Sequence, residues 1–142
     1  MASSDDVWQM FFDDASRIGS NGKIITGVGV VFISPNGHVV PRAFSLTEPC
    51  SNTVAEYNAV LIGLQLTQQM GVTYLEPYGD SKLIINQIKG ENKVWHEDLI
   101  PYHHAAIQLA NMFDGFYISH VSHLQNTKAD TLAALATTCF IS

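Results

Sequence analysis

Residues 24–46 read IITGVGVVFISPNGHVVPRAFSL, and this stretch decides the fold. Its first part, Ile24–Ile33, is a β-branched run with two glycines inside it, which is typical of a strand buried on both faces. The sequence SPNG at 34–37 places proline at the second position of a turn. Val39–Leu46 then predicts an antiparallel partner strand. Because Pro41 cannot donate a ladder hydrogen bond, we expect this partner at the edge of the sheet.

The segments on either side extend the hairpin into an α/β pattern. Upstream, residues 7–12 predict a strand that ends at Asp13 and Asp14, followed by a loop over 14–23. Downstream, apolar residues recur at helical spacing in four segments that alternate with two strand-like runs. The predicted order is βββαβααβα, which indicates a mixed sheet with helices packed on its faces. The predicted helices cover 55–70, 81–89, 99–113 and 126–138, and the later strands cover 72–79 and 116–121.

Length and composition restrict the classes of protein that fit. The 142 residues suffice for one domain, which we place at 7–140 after a tail at 1–6. Thirteen acidic against seven basic side chains give a formal charge of −6, which argues against a large basic surface for nucleic acid. Two cysteines, Cys50 and Cys139, are too few for a disulfide scaffold. No signal-peptide pattern and no apolar run of ~18 residues appear, so we expect a soluble, intracellular protein without a membrane span.

Four acidic residues stand where their side chains can meet. Asp13 ends the first predicted strand and Asp80 ends the fourth. If these strands are parallel neighbours, both carboxylates lie at the C-terminal edge of the sheet, where open α/β sheets bind ligands. Glu56 lies early in the long helix, and Gly63 on the same helix face allows a close approach to the sheet. Asp130 opens the last helix.

Each acid also has an ordinary structural explanation. Asp80 fits the cap of the following helix, and Asp130 fits a capping box with Thr127. Glu56 fits an exposed first-turn acid, and Asp13 fits the end of a strand before a loop. Taken singly, these explanations are favoured. The four acids together, in these positions, favour a shared site instead.

A carboxylate cluster of this kind predicts divalent cations. Like charges raise each other's pKa, so the group cannot stay ionised without positive charge nearby. Hard oxygen ligands select Mg²⁺ or Mn²⁺. Two such ions ~3.5–4 Å apart are the usual arrangement for in-line displacement at phosphorus. The chemistry indicated is phosphodiester hydrolysis.

Four strings in order along the chain resemble the ribonuclease H family. They are FFDDAS (11–16), SNTVAEY (51–57), GDS (79–81) and NTKADTLA (126–133). The resemblance covers about residues 7–138 and is strongest to the ribonuclease H domain of plant gypsy-type LTR retrotransposon polyproteins. It implies a ribonuclease H-like fold, with a five-stranded mixed sheet whose first three strands are antiparallel and with helices on both faces.

The resemblance also implies a catalytic site. Asp13, Glu56, Asp80 and Asp130 are expected to bind two Mg²⁺ ions, for which Mn²⁺ can substitute. The expected reaction is hydrolysis of the RNA strand of an RNA/DNA hybrid during reverse transcription. His120 precedes Asp130 by ten residues and matches the family histidine that assists proton transfer, although a half-buried residue at a strand end explains it as well.

Substrate contacts are implied at the rim of this site. Asn52 precedes Glu56 by four residues, so both lie on one helix face, and the resemblance places Asn52 in the minor groove of the hybrid. The alternative is that Asn52 is only the helix N-cap. The other expected substrate contacts are Ser51, Ser81, Asn126 and His123.

Two positions depart from the family pattern. Asp14 stands where relatives usually have glycine, and its negative side chain either crowds the substrate phosphate or adds metal affinity. His123 falls where retroelement relatives have arginine in the sequence HVPR, so a permanent cation is lost. These departures keep a second hypothesis open, a catalytically weakened or inert module of the same fold that serves a structural or binding role.

The expected biological context follows from the same resemblance. The leading hypothesis is an enzyme within a retroelement polyprotein, where the neighbouring reverse transcriptase region is a partner and holds the hybrid. A host ribonuclease H acting on hybrids is a third hypothesis. As an isolated domain the protein is expected to be monomeric. Its expected location is the cytoplasm, inside a virus-like particle, or the nucleus, without secretion.

Overall fold

Three antiparallel strands open the fold in the computed structural model, which describes residues 6–46, 48 and 50–138. They are β1 (Val7–Ile18), β2 (Ile24–Ile33) and β3 (Val39–Leu46). The middle strand β2 is buried along most of its length and pairs with both neighbours, as its unbroken apolar character predicts. Cys139 and nearly all of the predicted tail lie outside the described residues.

The first strand is longer than the sequence predicts. We expected β1 to end at Asp13 and Asp14, with a loop over 14–23, and this is wrong. The antiparallel ladder with β2 continues to the pair Ile18 and Ile24, so only 19–23 remain as a turn. The Arg17 side chain also donates its Nε hydrogen to the carbonyl oxygen of Thr137, at 2.9 Å. Cross-strand pairing therefore overrides the polar composition of this segment.

Helices alternate with strands over the rest of the chain. The glycines predicted to end two of the helices do so with positive φ, at Gly71 and Gly90. The last helix begins one residue later than predicted, because a 3-10 turn precedes it. The elements are α1 (Asn52–Gln69), β4 (Tyr74–Gly79), α2 (Lys82–Lys89), a 3-10 turn (Glu97–Leu99), α3 (Ile100–Ala110), β5 (Gly115–Phe116), β6 (Ser119–His120), a second 3-10 turn (His123–Asn126) and α4 (Thr127–Thr138).

The sheet is mixed, as predicted, with strand order β3-β2-β1-β4-β5. β3, which contains Pro41, lies at the edge, and β4 pairs in parallel with β1. We expected one strand over 116–121, but two short segments, β5 and β6, both pair in parallel with β4. Tyr117 and Val121 still donate backbone hydrogen bonds to β4 carbonyls at 3.0 and 2.9 Å, so the two segments together occupy the fifth position of the sheet.

Helices α1 and α4 cover opposite faces of the sheet, and glycines allow both to approach closely. A Cβ added at Gly63 of α1 would lie 2.4 Å from Sδ of Met10 and 3.3 Å from Val30. A Cβ added at Gly29, the neighbour of Val30 on β2, would lie 2.1 Å from the carbonyl oxygen of Ala129 in α4. Because successive strand residues point to opposite faces, the two helices sandwich the sheet.

The main core lies between the sheet and the layer formed by α1, α2 and α3. Its largest fully buried side chains include Tyr57, Phe32, Met10 and Leu64. Among the helices of the described chain, none is both long and apolar enough to cross a bilayer. The core thus holds β1, β4 and α1, the elements that carry three of the four predicted acids, in fixed relation to one another.

Candidate functional site

Two adjacent acids, Asp13 and Asp14, extend from opposite faces of β1. Asp13 pairs across the ladder with Gly29. Helix α4 occupies the space where a Gly29 side chain would lie, so Asp13 faces α4 as well. Asp14 therefore faces the α1 side. The parallel ladder with β4 ends at Phe11 and Tyr78, so both acids lie just beyond the point where β1 and β4 part.

Glu56 approaches from α1. The N-cap of this helix is Ser51, whose hydroxyl accepts a hydrogen bond from the Val54 backbone N–H at 3.3 Å, so Glu56 lies in the second turn. The Ser81 side chain lies near its carboxylate and favours the charged form, which lowers the pKa of Glu56 against the effect of burial. Ser81 also caps α2 by accepting from Ile84 N–H at 3.4 Å. The alternative that Asp80 caps this helix is thereby wrong.

His123 joins Asp80 to Asp130 across the end of the sheet. Its Nδ1 lies 3.1 Å from Oδ2 of Asp80, and its Nε2 lies 3.8 Å from Oδ2 of Asp130. The 3-10 turn that carries it starts with a capping box between Ser122 and Gln125. Asp130 lies in the first turn of α4, and its side chain lines the cleft.

Burial and crowding of like charge shape the electrostatics of the cluster. Burial raises the pKa of Asp13 to about 7; the carboxylates of Asp80, Asp14 and Asp130 add to this, and a hydrogen bond from the Asp14 backbone N–H at 2.8 Å opposes it. Burial also raises the pKa of Asp14 to about 7, with Glu56 as the strongest charged contributor. The pKa of Glu56 is raised for the same reasons.

The acids and their neighbours line one open, polar cleft of about 370 Å³. Its donors are mostly carboxylate oxygens, which are the ligands that Mg²⁺ and Mn²⁺ prefer. One ligand atom each from Asp13, Asp80 and His123 lies within 4.8 Å of the others, close enough to share one ion. The donor set therefore fits divalent cations. The lining residues are Asp13, Asp14, Ala15, Ser16, Asn52, Glu56, Asp80, His123 and Asp130.

The structure brings the four predicted carboxylates together. Two other residues expected at the same site, His120 and Asn126, do not line the cleft. His120 is exposed at the end of β6 and does not line the cleft. Asn126, expected to contact substrate, is 1% exposed, and its Nδ2 donates to the Phe12 carbonyl at 2.9 Å. In this position it anchors the turn before α4 to β1. Asn52 is exposed at the cleft rim, and because Ser51 is the N-cap, the alternative that Asn52 caps α1 is wrong.

Two features of the cleft were underestimated from sequence. Asp14 was noted only as a departure from the family pattern, yet it lies in the cleft opposite Glu56. Strand alternation would have placed it there had β1 been predicted through residue 14. His123 was expected to contact substrate, yet it contacts Asp80 and Asp130 directly. The irregular turn before α4 gives no periodic signal for that orientation.

Known proteins resemble this chain in both sequence and fold. The sequence model of the family described as Reverse transcriptase-like matches residues 18–136. Ribonuclease HI of Halobacterium salinarum is 33% identical over 123 residues, which cover 87% of this chain and 60% of that protein. The chain thus spans less than two thirds of that relative's length.

Solved structures agree with the sequence matches. The crystal structure of RNase H1 from H. salinarum superposes with a TM-score of 0.82 at 32% identity, covering 92% of this chain and 96% of that one. The N-terminal RNase H domain of Rv2228c from Mycobacterium tuberculosis gives 0.82 at 30% identity, covering 93% and 94%. LC11-RNase H1 in complex with an RNA/DNA hybrid gives 0.80 at 24% identity, covering 92% and 96%, and this likeness shows the fold alone. With its mixed sheet, its carboxylate cleft and these matches, the chain belongs to the ribonuclease H-like family.

Proposed function

We propose that this chain is a metal-dependent endonuclease that hydrolyses the RNA strand of RNA/DNA hybrids. The observation that carries the proposal is the convergence of Asp13, Glu56, Asp80 and Asp130 in one cleft from four separate elements. Ordinary capping does not explain Asp80, since Ser81 supplies the cap of α2. Four acids from separate elements are costly to keep together, and a shared function accounts for that cost.

The chain's own residues supply the cation ligands and hold them in place. Asp13, Glu56, Asp80 and Asp130 would hold two divalent cations, which when bound activate an attacking water and stabilise the leaving oxygen of a phosphodiester. Ser81 favours the charged form of Glu56, the form that binds a cation. Burial of Asp13 at 9% exposure limits the movement of its carboxylate. His120 remains a predicted proton carrier and lies at the end of β6, where it pairs with Gly79 of β4.

The proposed substrate rests on the rim of the cleft and on relatives. LC11-RNase H1, which shares the fold, is described in complex with an RNA/DNA hybrid. Asn52 and Ser51 are exposed at the N-terminus of α1, close to the carboxylates, where polar side chains can reach a sugar hydroxyl. A 2′-hydroxyl is the group that distinguishes RNA from DNA at such a position.

We further propose that the domain belongs to a retroelement polyprotein. The match to the Reverse transcriptase-like family supports a reverse transcriptase region as partner. The origin in a gypsy-type polyprotein rests on the resemblance of the four sequence strings. The net charge of −6 supports the same view, because an acidic domain gains from a partner that holds the hybrid. We place the protein in the cytoplasm, within a virus-like particle, or in the nucleus, with Mg²⁺ or Mn²⁺ bound in the cleft.

The test is cleavage of one end-labelled RNA presented as a single strand, an RNA duplex and a hybrid with DNA. At low salt with about 5–10 mM Mg²⁺, a range that fills weak carboxylate sites, we expect cleavage of the hybrid alone. Asp80→Asn should abolish it, since a cation ligand is lost. Asp114→Asn, which removes the same charge at an exposed position outside the cleft, should not. Equal activity of the Asp80 variant would contradict the assignment of the site. No cleavage by folded protein with Mg²⁺ or Mn²⁺ would contradict the proposed activity and favour an inert module.

A further inference from the structure

We propose that His123 is a metal ligand in this protein, and that it makes the cation site shared with Asp13 and Asp80 prefer a transition metal ion over Mg²⁺. The inference deepens the proposed function, on which it rests for the presence of a cation in the cleft. The inference concerns the identity of the bound ion and the ligand atom of His123 that determines it.

The geometry places an imidazole nitrogen among carboxylate oxygens. One atom each of Asp13, Asp80 and His123 lies within 4.8 Å of the others, so a single ion can contact all three at ordinary ligand distances. Asp13 comes from β1, Asp80 follows β4, and His123 comes from the turn before α4. The three ligands thus approach from different directions, as a cation site requires.

His123 has the freedom to turn its ring onto an ion. Its side chain is 65% exposed, and its ring nitrogens lie 3.1 Å from a carboxylate oxygen of Asp80 and 3.8 Å from one of Asp130. These carboxylates draw the ring into the position where a cation would lie. A small rotation therefore replaces a hydrogen bond with a metal contact, at little cost in packing.

A nitrogen ligand changes the order of metal affinities. Mg²⁺ requires near-ideal octahedral oxygen coordination and takes imidazole poorly. Imidazole suits transition metals, and affinity for mixed N/O sites rises from Mn²⁺ towards Zn²⁺. A cleft with carboxylates alone suits both Mg²⁺ and Mn²⁺, whereas the same cleft with His123 gains affinity for Mn²⁺ and Zn²⁺ and none for Mg²⁺. His123 is thereby a specificity-determining residue for the ion.

The chain supplies a matched control for this proposal. His120 lies three residues earlier, is also exposed, and does not line the cleft. Replacing either histidine with alanine removes one imidazole from an exposed position, so both variants should fold. Only His123→Ala removes a nitrogen from the cation site.

The experiment uses Mn²⁺ as the probe, without nucleic acid. Pulsed EPR of the Mn²⁺-loaded protein should show coupling to a ¹⁴N nucleus in the wild type and in His120→Ala, and none in His123→Ala. Titration calorimetry should show Mn²⁺ and Zn²⁺ affinities at least about tenfold lower in His123→Ala, because even the loss of a group that only supports a ligand costs 10- to 100-fold. Mg²⁺ affinity should change by about twofold or less, since Mg²⁺ binds through oxygen.

The outcomes separate this inference from the proposed function. Absence of ¹⁴N coupling in the wild type, or its survival in His123→Ala, would overturn the inference, even if hybrids are cleaved with Mg²⁺. Equal loss of Mg²⁺ and Mn²⁺ affinity in His123→Ala would also overturn it, because the residue would then act without selecting the ion. Nitrogen coupling with no hybrid cleavage under any metal would support the inference and contradict the proposed function.

Discussion

At the scale of single residues, Asp14 makes the metal-free protein sensitive to pH. Its folded-state pKa is about 7, against 3.8 for an ordinary aspartate, because the carboxyl is buried and faces Glu56. The folded state therefore binds the proton more tightly than the unfolded state does. Stability falls as pH rises from about 4 through 7, and the full penalty is present above 7. We expect Asp14→Asn to raise the Tm at pH 8 by roughly 3–6 °C, and by less at pH 5.

Thermal unfolding in the presence of EDTA, at both pH values, checks this prediction. Asp114→Asn is the matched variant, since it removes one negative charge from an exposed site outside the cleft. Its Tm difference from the wild type should be small and similar at both pH values. An Asp14→Asn protein whose Tm difference is the same at pH 5 and pH 8 would show that the carboxyl does not titrate in this range.

Residue positions could be predicted where periodicity or pairing fixes them. The meeting of Asp13 and Asp80 follows from two parallel strands, and the place of Glu56 follows from helical spacing and the small Gly63 beside it. Asn126 could not be placed, because it ends an irregular 3-10 turn whose geometry buries it against β1. The roles of the predicted catalytic and substrate residues stay predictions.

At the scale of elements, the approach of α4 to β2 depends on glycine. A Cβ at Gly29 would lie 2.1 Å from the carbonyl oxygen of Ala129 and 2.6 Å from the Ala133 nitrogen. Both are backbone atoms, so the helix itself must move. We expect Gly29→Ala to destabilise the fold by about 3 kcal/mol, the upper part of the range for overpacking. Since α4 carries Asp130, affinity for divalent cations should fall as well.

Denaturant unfolding and metal titration of the folded fraction measure these two effects. Gly19→Ala is the control, because its added Cβ would meet the tip of the flexible Ile25 side chain, at 2.9 Å, rather than backbone. We expect it to cost much less stability and to leave metal affinity unchanged. Equal costs at both positions would mean that α4 tolerates displacement, and the close approach would then not position Asp130.

The type and order of the helices and strands were largely predictable from the sequence, but the residues at which some of them begin and end were not. Composition gave the hairpin with Pro41 at the edge, the helix endings at glycine and the element order, since each depends on local chemistry. The end of β1 was missed because residues 15–18 become a strand only through pairing with β2. The division of the last strand into β5 and β6 was missed because both segments depend on pairing with β4. Pairing of this kind is set by tertiary structure rather than by propensity.

At the scale of the whole molecule, much of the net charge is concentrated in the cleft. Five of the thirteen acidic residues, the four predicted ligands and Asp14, line it. Without those five carboxylates the formal charge of −6 would be −1. The acidity that argues against a nucleic-acid surface is therefore largely a property of the site, and two divalent cations would offset most of it. This distribution predicts that cations stabilise the fold through the cleft rather than through general screening.

Divalent cations should thus raise the Tm in a pH-dependent and residue-specific way. At ten times the dissociation constant, one bound ion adds about 1.4 kcal/mol to the free energy of unfolding, or a few degrees in Tm for a chain of this size. The rise should be larger at pH 8 than at pH 5, because protons held by Asp13 and Asp14, with pKa values raised to about 7, compete with the ion at the lower pH. Thermal unfolding in MgCl₂, against NaCl at matched ionic strength, measures it. Asp80→Asn should lose the difference between the salts and Asp114→Asn should keep it, whereas equal shifts in both salts would mean that the cluster is screened rather than occupied.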